Sequence, residues 1–408
     1  MNPLYMLLVI PFFFLCMGIE WLYGRIKGEK YYRFNDTITN LNLGIGSQIF
    51  GLLTKGLIVG TLVWVSQNWA IMQIPNTWWS SILCLVFFDF LYYWAHRWGH
   101  EVNFFWGAHI VHHQSEDFNL GVALRQSWFH SLIAAFIFLP IPLLGFQPVI
   151  FLGTSGIVTL YQFWVHTEAI NKLPRWFEYI LNTPSHHRVH HARDPKYLDK
   201  NYAATFIVWD RIFGTFIEEK EKPHYGVTKK FNSWNPTWAN FHYYIEMWQA
   251  ARQMPKWRDK VKMIFAKPGW LPEEMGGYQD APAIEKNDQK YNNDNRSMRI
   301  YVTVQFLLIT CGLIAYMYHF ENLSVFFQWT LAGLLILSAT ICGAILENKK
   351  WLYIAEYAKL IMTVLCLNVL YYLNYMDWFL IMLICSSIGF LLLVTWFTLG
   401  WKHISYKS

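Results

Sequence analysis

Three short stretches of the chain concentrate its histidines: His96-Arg97-Trp98-Gly99-His100, His109-Ile110-Val111-His112-His113 and His187-Arg188-Val189-His190-His191. On an α-helix, residues at i, i+3 and i+4 share a face, so each box aims two or three imidazoles at one point. Together the boxes hold eight of the fifteen histidines. A tetrahedral zinc site takes four ligands, often cysteine among them, so eight imidazoles fit two metals better. Imidazole suits iron, zinc, copper and nickel alike, but many neutral ligands close to a lipid point to oxygen activation by iron. The soluble di-iron carboxylate pattern is not met, because the one Glu-x-x-His spacing, Glu221 to His224, is broken by Pro223. Of the lone histidines, His130, His224 and His242 read as cap or interface residues, and His319 and His403 as solvated.

Asp89 precedes His96 by seven residues and His100 by eleven, which sets all three on one helical stripe. A carboxylate inside an apolar span needs a polar partner, so Asp89 is expected to accept a proton from a metal-bound imidazole. Glu101, Glu116, Asp117 and Asp210 are further candidates, weighed against the plainer reading of ion pairs.

The elements that must carry these residues are membrane spans. The chain of 408 residues is 54% hydrophobic, 19% aromatic and only 15% charged, too apolar for a soluble enzyme. Runs long enough to cross a hydrocarbon core of about 30 Å lie near 4–22, 41–66, 78–96, 300–319, 324–346, 352–373 and 378–400. The run 131–167, interrupted by Pro140, Pro142, Gly145 and Pro148, reads as two further spans folded into a hairpin. The expected fold is therefore all-α and multi-pass, with about nine spans. The first run lacks a basic region before it and a cleavage site after it, and reads as a retained anchor.

Basic residues mark one face. Arg25, Lys27, Lys30, Arg33, Arg97, Arg125, the region 172–299, Lys349, Lys350, Lys402 and Lys407 fall on it, while the loops near 67–77, 144–148, 320–323 and 374–377 contain no Lys or Arg. That face is the cytoplasmic one, and all three histidine boxes lie there. The net charge of +6 is accounted for by this orientation, and no nucleic-acid partner is indicated. The six cysteines lie in apolar runs with no CxxC pair, and read as small core residues. The polar stretch 171–299 should form a cap, with a strand-like piece at 202–209, a helix-like piece at 238–253 and a mobile linker at 273–299.

At the boxes the sequence resembles the fatty acid hydroxylase and sterol desaturase superfamily, whose histidine clusters surround a di-iron centre. Ser115-Glu116-Asp117-Phe118-Asn119-Leu120, Ala123-Leu124-Arg125-Gln126-Ser127, the stretch from Tyr161 to Glu168, and Asn182-Thr183-Pro184-Ser185-His186-His187 narrow the likeness to the alkylglycerol monooxygenase family. Asp199-Lys200-Asn201-Tyr202-Ala203, the stretch from Trp209 to Phe216 and Lys267-Pro268-Gly269-Trp270 carry it onward through most of the chain. The resemblance implies that the eight box histidines are iron ligands, that Glu101 is a required acidic residue, and that His166 is a ninth ligand. In the superfamily an HxxxH pair often precedes the last box, whereas here the earlier position holds Gln162.

The resemblance divides the chain into N-terminal spans at 1–77, a hydroxylase-like catalytic core at 78–220, a cap and linker at 221–299, and C-terminal spans at 300–408. It implies hydroxylation of the alkyl carbon next to the ether oxygen of an alkylglycerol lipid, with two Fe ions, O2 as oxidant and tetrahydrobiopterin as reductant. A fatty aldehyde and a glycerol derivative result. The chain has no haem-attachment motif, dinucleotide loop or iron–sulfur spacing, so a soluble pterin or an external electron donor must supply electrons. The membrane would be the endoplasmic reticulum in a eukaryote and the inner membrane in a bacterium. Two other functions share these features. One is a fatty acid, sterol or carotenoid hydroxylase or desaturase fed by a separate protein. The other is a metal transporter, which would place its ligands near the bilayer midplane rather than on one face.

Overall fold

Backbone polar groups in hydrocarbon must find partners within their own segment, so long apolar runs become helices. Among the described residues, seven helices are long and apolar enough to cross a membrane: Val9–Lys27, Phe34–Asn68, Trp78–Glu101, Arg296–Asn322, Val325–Leu346, Leu352–Asn374 and Met376–Gly400. The chain is an all-helical integral membrane protein. A computed structural model describes residues 3–281 and 295–404, with side chains described for 9–281 and 295–400. Of the linker expected at 273–299, residues 282–294 lie outside the described residues, as does the side chain of His403.

The helices run in order α1 (Pro3–Lys27), α2 (Phe34–Asn68), α3 (Trp78–Glu101), α4 (Asn103–His113), α5 (Leu120–Ala123), α6 (His130–Ile137), α7 (Pro140–Leu144), α8 (Pro148–Trp164), α9 (Arg175–Ile180), α10 (Pro184–His190), α11 (Val208–Ile212), α12 (Pro236–Gln253), α13 (Trp257–Phe265), α14 (Arg296–His319), α15 (Val325–Leu346), α16 (Leu352–Asn374) and α17 (Met376–Ile404). They form two units, one of Phe12–Asn232 with Asn240–Lys290, the other of Met1–Pro11, Ser233–Ala239 and Tyr291–Ser408.

In the first unit the run 131–167 differs from the expected pair of spans, since it is divided among α6, α7 and α8. Pro140 and Pro142 restart the helix, and Gly145 turns the chain with a φ of +104°. At 1.5 Å per residue, α6 spans about 12 Å, well short of the hydrocarbon thickness. The turn also hosts the preceding loop, because Ile71 donates to Leu143 O at 2.8 Å and Ile74 to Gly145 O at 3.1 Å. A Cβ on Gly145 would fall 1.8 Å from the Met72 carbonyl oxygen, so no other residue fits. Phe88 of α3 stacks on Phe138 at 4.4 Å between ring centres and meets Phe151 at 5.7 Å, an apolar layer that fixes α3 against α8.

The stretch 202–209 is not a strand, and the described residues contain only two isolated bridges, Leu181 with Phe206 and Ala192 with Tyr225. Its backbone N–H groups are taken by carboxylates instead of a neighbouring strand. Tyr202 and Ala203 donate to Asp210 at 2.8 Å each, and Thr205 and Phe206 donate to Asp89 at 2.8 and 3.0 Å. The helix expected at 238–253 is α12.

In the second unit Glu347, just past α15, accepts from the backbone N–H groups of Trp234 and Asn235 at 2.6 and 3.1 Å. Between α14 and α16, the fully buried Glu356 carboxylate is met by Lys359 Nζ at 2.7 Å and by the Tyr301 hydroxyl and the Gln305 amide.

Candidate metal centre

Four elements deliver nine imidazoles to one place. His96 and His100 stand on the last turns of α3, and the chain turns at Val102 directly into α4, which carries His109, His112 and His113. His166 follows the end of α8, while His187 and His190 lie on α10 with His191 as its C-cap. Gly99 of α3 packs against the His109 ring of α4, where a Cβ would stand at van der Waals contact, 3.4 Å from His109 Cγ.

The ring nitrogens form two groups. His96, His100, His109, His113 and His190 make one, and His112, His166, His187 and His191 the other, with the ligand atoms of each group all within 4.8 Å of one another. In the first, Nε2 of His109 lies 3.0 Å from Nε2 of His96 and 3.1 Å from that of His113. In the second, Nε2 of His166 lies 3.1 Å from that of His112 and 2.9 Å from that of His187, which is 3.2 Å from His191 Nε2. The groups adjoin, with the rings of His113 and His191 stacked at 4.4 Å.

The far side of the rings explains their orientation. Nδ1 of His96, His112, His166 and His190 faces the backbone carbonyl of Tyr202 (2.6 Å), Arg125 (2.9 Å), Gln162 (2.7 Å) and Lys200 (3.0 Å) respectively. A carbonyl only accepts, so each Nδ1 carries the proton and each Nε2 turns a lone pair inward. His100 Nδ1 stands 3.6 Å from Asp199 Oδ1. Nε2 of His100 and of His190 are buried with no hydrogen-bond partner.

Burial pushes the rings of His109, His112, His113, His187, His190 and His191 well below the ordinary histidine range, and His166 down to about 4. They are neutral at pH 7, the protonation state that ligates a metal. Inward lone pairs about 3 Å apart repel unless a cation lies between them. With metal–nitrogen bonds of about 2.1 Å, opposite ligands stand about 4.2 Å apart, which matches the span of each group. The donor set fits a pair of transition-metal ions, one per group, and contains neither cysteine nor carboxylate among the described residues.

All nine histidines singled out in the sequence lie in these groups; the acidic candidates do not touch the rings. Asp89 holds Thr205 N, Phe206 N and Trp209 Nε1, at 3.1 Å for the last, rather than an imidazole. Glu101 pairs with Arg97 at 3.2 Å, and Glu116 and Asp117 with Arg33 at 3.4 and 2.6 Å. Asp210 holds the backbone at Tyr202 and Ala203 and accepts from the Thr215 hydroxyl at 2.6 Å. Gln162 is engaged at two points. Its carbonyl orients His166, and its side chain accepts from the Tyr92 hydroxyl at 2.5 Å. His224 pairs with Asp194 at 2.9 Å and His242 packs on Phe231.

Sequence reasoning did not anticipate the four carbonyls, Asp199 or the buried Asn201. Asn201 bridges His186 O and Ile217 O at 3.1 and 2.8 Å. Both Asp199 and Asn201 adopt left-handed backbone, φ +58° and +55°, which Asp and Asn tolerate best after glycine. That pairing in Asp199-Lys200-Asn201 was the available signal.

The pattern of the fatty acid hydroxylase family matches residues 81–215, the stretch that holds all nine imidazoles. Alkylglycerol monooxygenase of Xenopus tropicalis is 34% identical over 374 residues, 89% of this chain and 81% of that protein. The Homo sapiens protein of the same name is 35% identical over 371 residues, covering 88% and 82%, and that of Danio rerio 33% over 356 residues, covering 85% and 79%. No solved structure matches. Likeness of this extent runs far past the histidine boxes and into both units, and by it the chain belongs to the alkylglycerol monooxygenase family.

Proposed function

We propose that the chain is a di-iron monooxygenase that hydroxylates the carbon next to the ether oxygen of an alkylglycerol lipid. The observation that carries this reading is the pair of adjoining, buried, all-imidazole nitrogen groups. His96, His100, His109, His113 and His190 would hold one iron, and His112, His166, His187 and His191 the other. An iron pair held there would supply the activation of O2, one oxygen atom going to the C–H bond and the other to water with two electrons and two protons from tetrahydrobiopterin. The hydroxylated ether is a hemiacetal, which breaks its C–O bond to give a fatty aldehyde and a glycerol derivative.

The chain's own residues set the geometry. The four backbone carbonyls keep the Nδ1 protons in place and hold the Nε2 lone pairs on target. Asp89 and Asp210 act through the loop that presents the Tyr202 and Lys200 carbonyls, and are positioning residues. Glu101 is a third, since it holds Arg97, which donates to the Tyr93 hydroxyl at 3.3 Å, itself 3.0 Å from Thr215 Oγ1. The distribution of Lys and Arg supports a site on the cytoplasmic side, of the endoplasmic reticulum in a eukaryote or of the inner membrane in a bacterium.

Purified protein supplied with 1-O-hexadecylglycerol, O2 and tetrahydrobiopterin should release hexadecanal and contain two irons per chain. Aldehyde release only with a reductase and its electron donor would reject the pterin. One loosely held ion with metal uptake into vesicles would replace the enzyme by a transporter. His112→Ala should lower bound iron and abolish turnover in a protein that keeps its helical content; full activity would refute the ligand set.

A further inference from the structure

Large apolar side chains exposed on the seven long helices are covered by lipid. The helix α13 is different. It has nine residues, four of them charged, and cannot cross a membrane, yet one of its faces is apolar and open. Trp257, Val261, Ile264 and Phe265 recur at i, i+4, i+7 and i+8 and so share that face, with Trp257 75% and Phe265 69% exposed. Basic side chains border it, Arg258 and Lys262 along one edge and Lys260 along the other. Met263, on the opposite side, is buried against the protein.

The place where α13 is fastened decides what that face meets. Asn103 opens α4 just past the end of the membrane span α3. Its backbone N–H donates to Ala266 O at 2.9 Å and its side-chain amide to Met263 O at 2.8 Å. The helix α13 therefore lies at the end of α3 that carries His100, where the chain leaves the hydrocarbon. Trp98 and Phe104, exposed on either side of this junction, are the aromatics expected at headgroup level. The Tyr243 hydroxyl of α12 donates to the same asparagine, and α12 too exposes an apolar stripe, Phe241, Ile245 and Trp248. In water, four large apolar side chains on one open face are costly. Lys262 lies over the Trp270 ring at 4.6 Å, and neither it nor Arg258 nor Lys260 makes an ion pair with a described residue. A bilayer surface matches both features in one plane, acyl chains for the apolar face and anionic headgroups for the long basic side chains at its edges.

We infer that α13 is an interfacial helix, its apolar face sunk at the headgroup boundary of the leaflet next to the histidine cluster, with Arg258, Lys260 and Lys262 holding anionic lipid headgroups. This role is independent of the reaction proposed above.

The test is photocrosslinking of the full-length protein in nanodiscs of equal parts phosphatidylcholine and phosphatidylserine, with p-benzoylphenylalanine in place of Phe265 or, separately, of Val261 or Asp259. Labels at Phe265 and Val261 should form lipid adducts, read by mass spectrometry of the α13 peptide, and a label at Asp259, on the opposite side, should form none. Among the adducts phosphatidylserine should exceed phosphatidylcholine by at least about threefold, as expected for basic residues held at an anionic surface. Arg258→Gln, Lys260→Gln and Lys262→Gln together should bring that ratio to about one, with lipid adducts still formed and helical content unchanged. Adducts to a second copy of the chain would assign the face to a dimer, and no adduct at either Phe265 or Val261 would leave it in water; both overturn the assignment. So would lipid adducts at Asp259 equal to those at Phe265, equal labelling of the two lipids with α13 otherwise intact, or a phosphatidylserine excess that survives the three substitutions.

Discussion

Arg125 is fully buried between the second histidine box and α2, and all of its polar contacts are to neutral acceptors. It donates to Val111 O at 2.6 Å, Asn40 Oδ1 at 2.8 Å and Gln114 Oε1 at 2.7 Å, while its own carbonyl takes the His112 Nδ1–H. Burial pushes its guanidinium down to about 10, still charged at pH 7. Arg125→Met strands three buried acceptors, so we expect a loss of about 3–5 kcal/mol of stability, measured as a lower thermal midpoint in detergent; an unchanged midpoint would show that water replaces the guanidinium. For Asp89→Asn the expectation is milder. One of its acceptor oxygens becomes a donor facing N–H groups, costing about 1–3 kcal/mol and lowering iron content less than His112→Ala does. Iron and rate both equal to wild type would leave Asp89 a packing residue. At this scale the clustering of the imidazoles was legible and their supports were not. Ligation by helices forces i, i+3, i+4 spacings, and those stand in the sequence. A carbonyl belongs to every residue, so nothing marks Tyr202 or Gln162 as the one that faces an imidazole. The Asp89 stripe was real, but a stripe names a face and not a partner.

The loop from Asp199 to Asp210 is the element on which the five-nitrogen group depends, since the Tyr202 and Lys200 carbonyls orient His96 and His190. Its conformation is held by carboxylates, and one of them should make stability depend on pH. Burial foremost, with the charge of Asp89 added, raises Asp210 to about 6 despite the hydrogen bonds it accepts. Between the unfolded value of 3.8 and about 6, the folded protein keeps a proton that the unfolded chain has lost. This group's contribution is therefore greatest below the unfolded value and is lost as pH rises through about 6. The thermal midpoint of wild-type protein relative to Asp210→Asn should fall from pH 4.5 to pH 7; a difference that grows with pH would reverse the sign. The aromatic and β-branched run at 202–209 suggested a strand for good reason. Its amides are claimed by Asp89 and Asp210, 116 and 8 residues away from Thr205 and Tyr202, and pairing at such range leaves no local pattern. The prolines in 131–167 were visible, but whether they kink a span or divide it depends on what packs against the pieces.

Across the whole molecule, apolar length alone located the seven long helices, because lipid leaves the backbone no alternative. The buried charges of the C-terminal unit were not foreseen, although they are the costliest groups there. Lys359 Nζ bonds Glu356 at 2.7 Å and Gln305 at 2.8 Å within α16 and α14. Lys359→Met would leave the carboxylate uncompensated and cost about 3–5 kcal/mol, while adding Glu356→Leu should recover most of it; equal destabilisation of the single and double variants would show that packing, not charge, is at stake. The histidine cluster follows a different electrostatic plan. Its nine donors are all imidazoles, and among the described residues no carboxylate joins either nitrogen group. Two cations seated there would keep nearly their whole positive potential in a space walled off from water, where halide, azide or a fatty acid headgroup would settle more readily than any uncharged lipid.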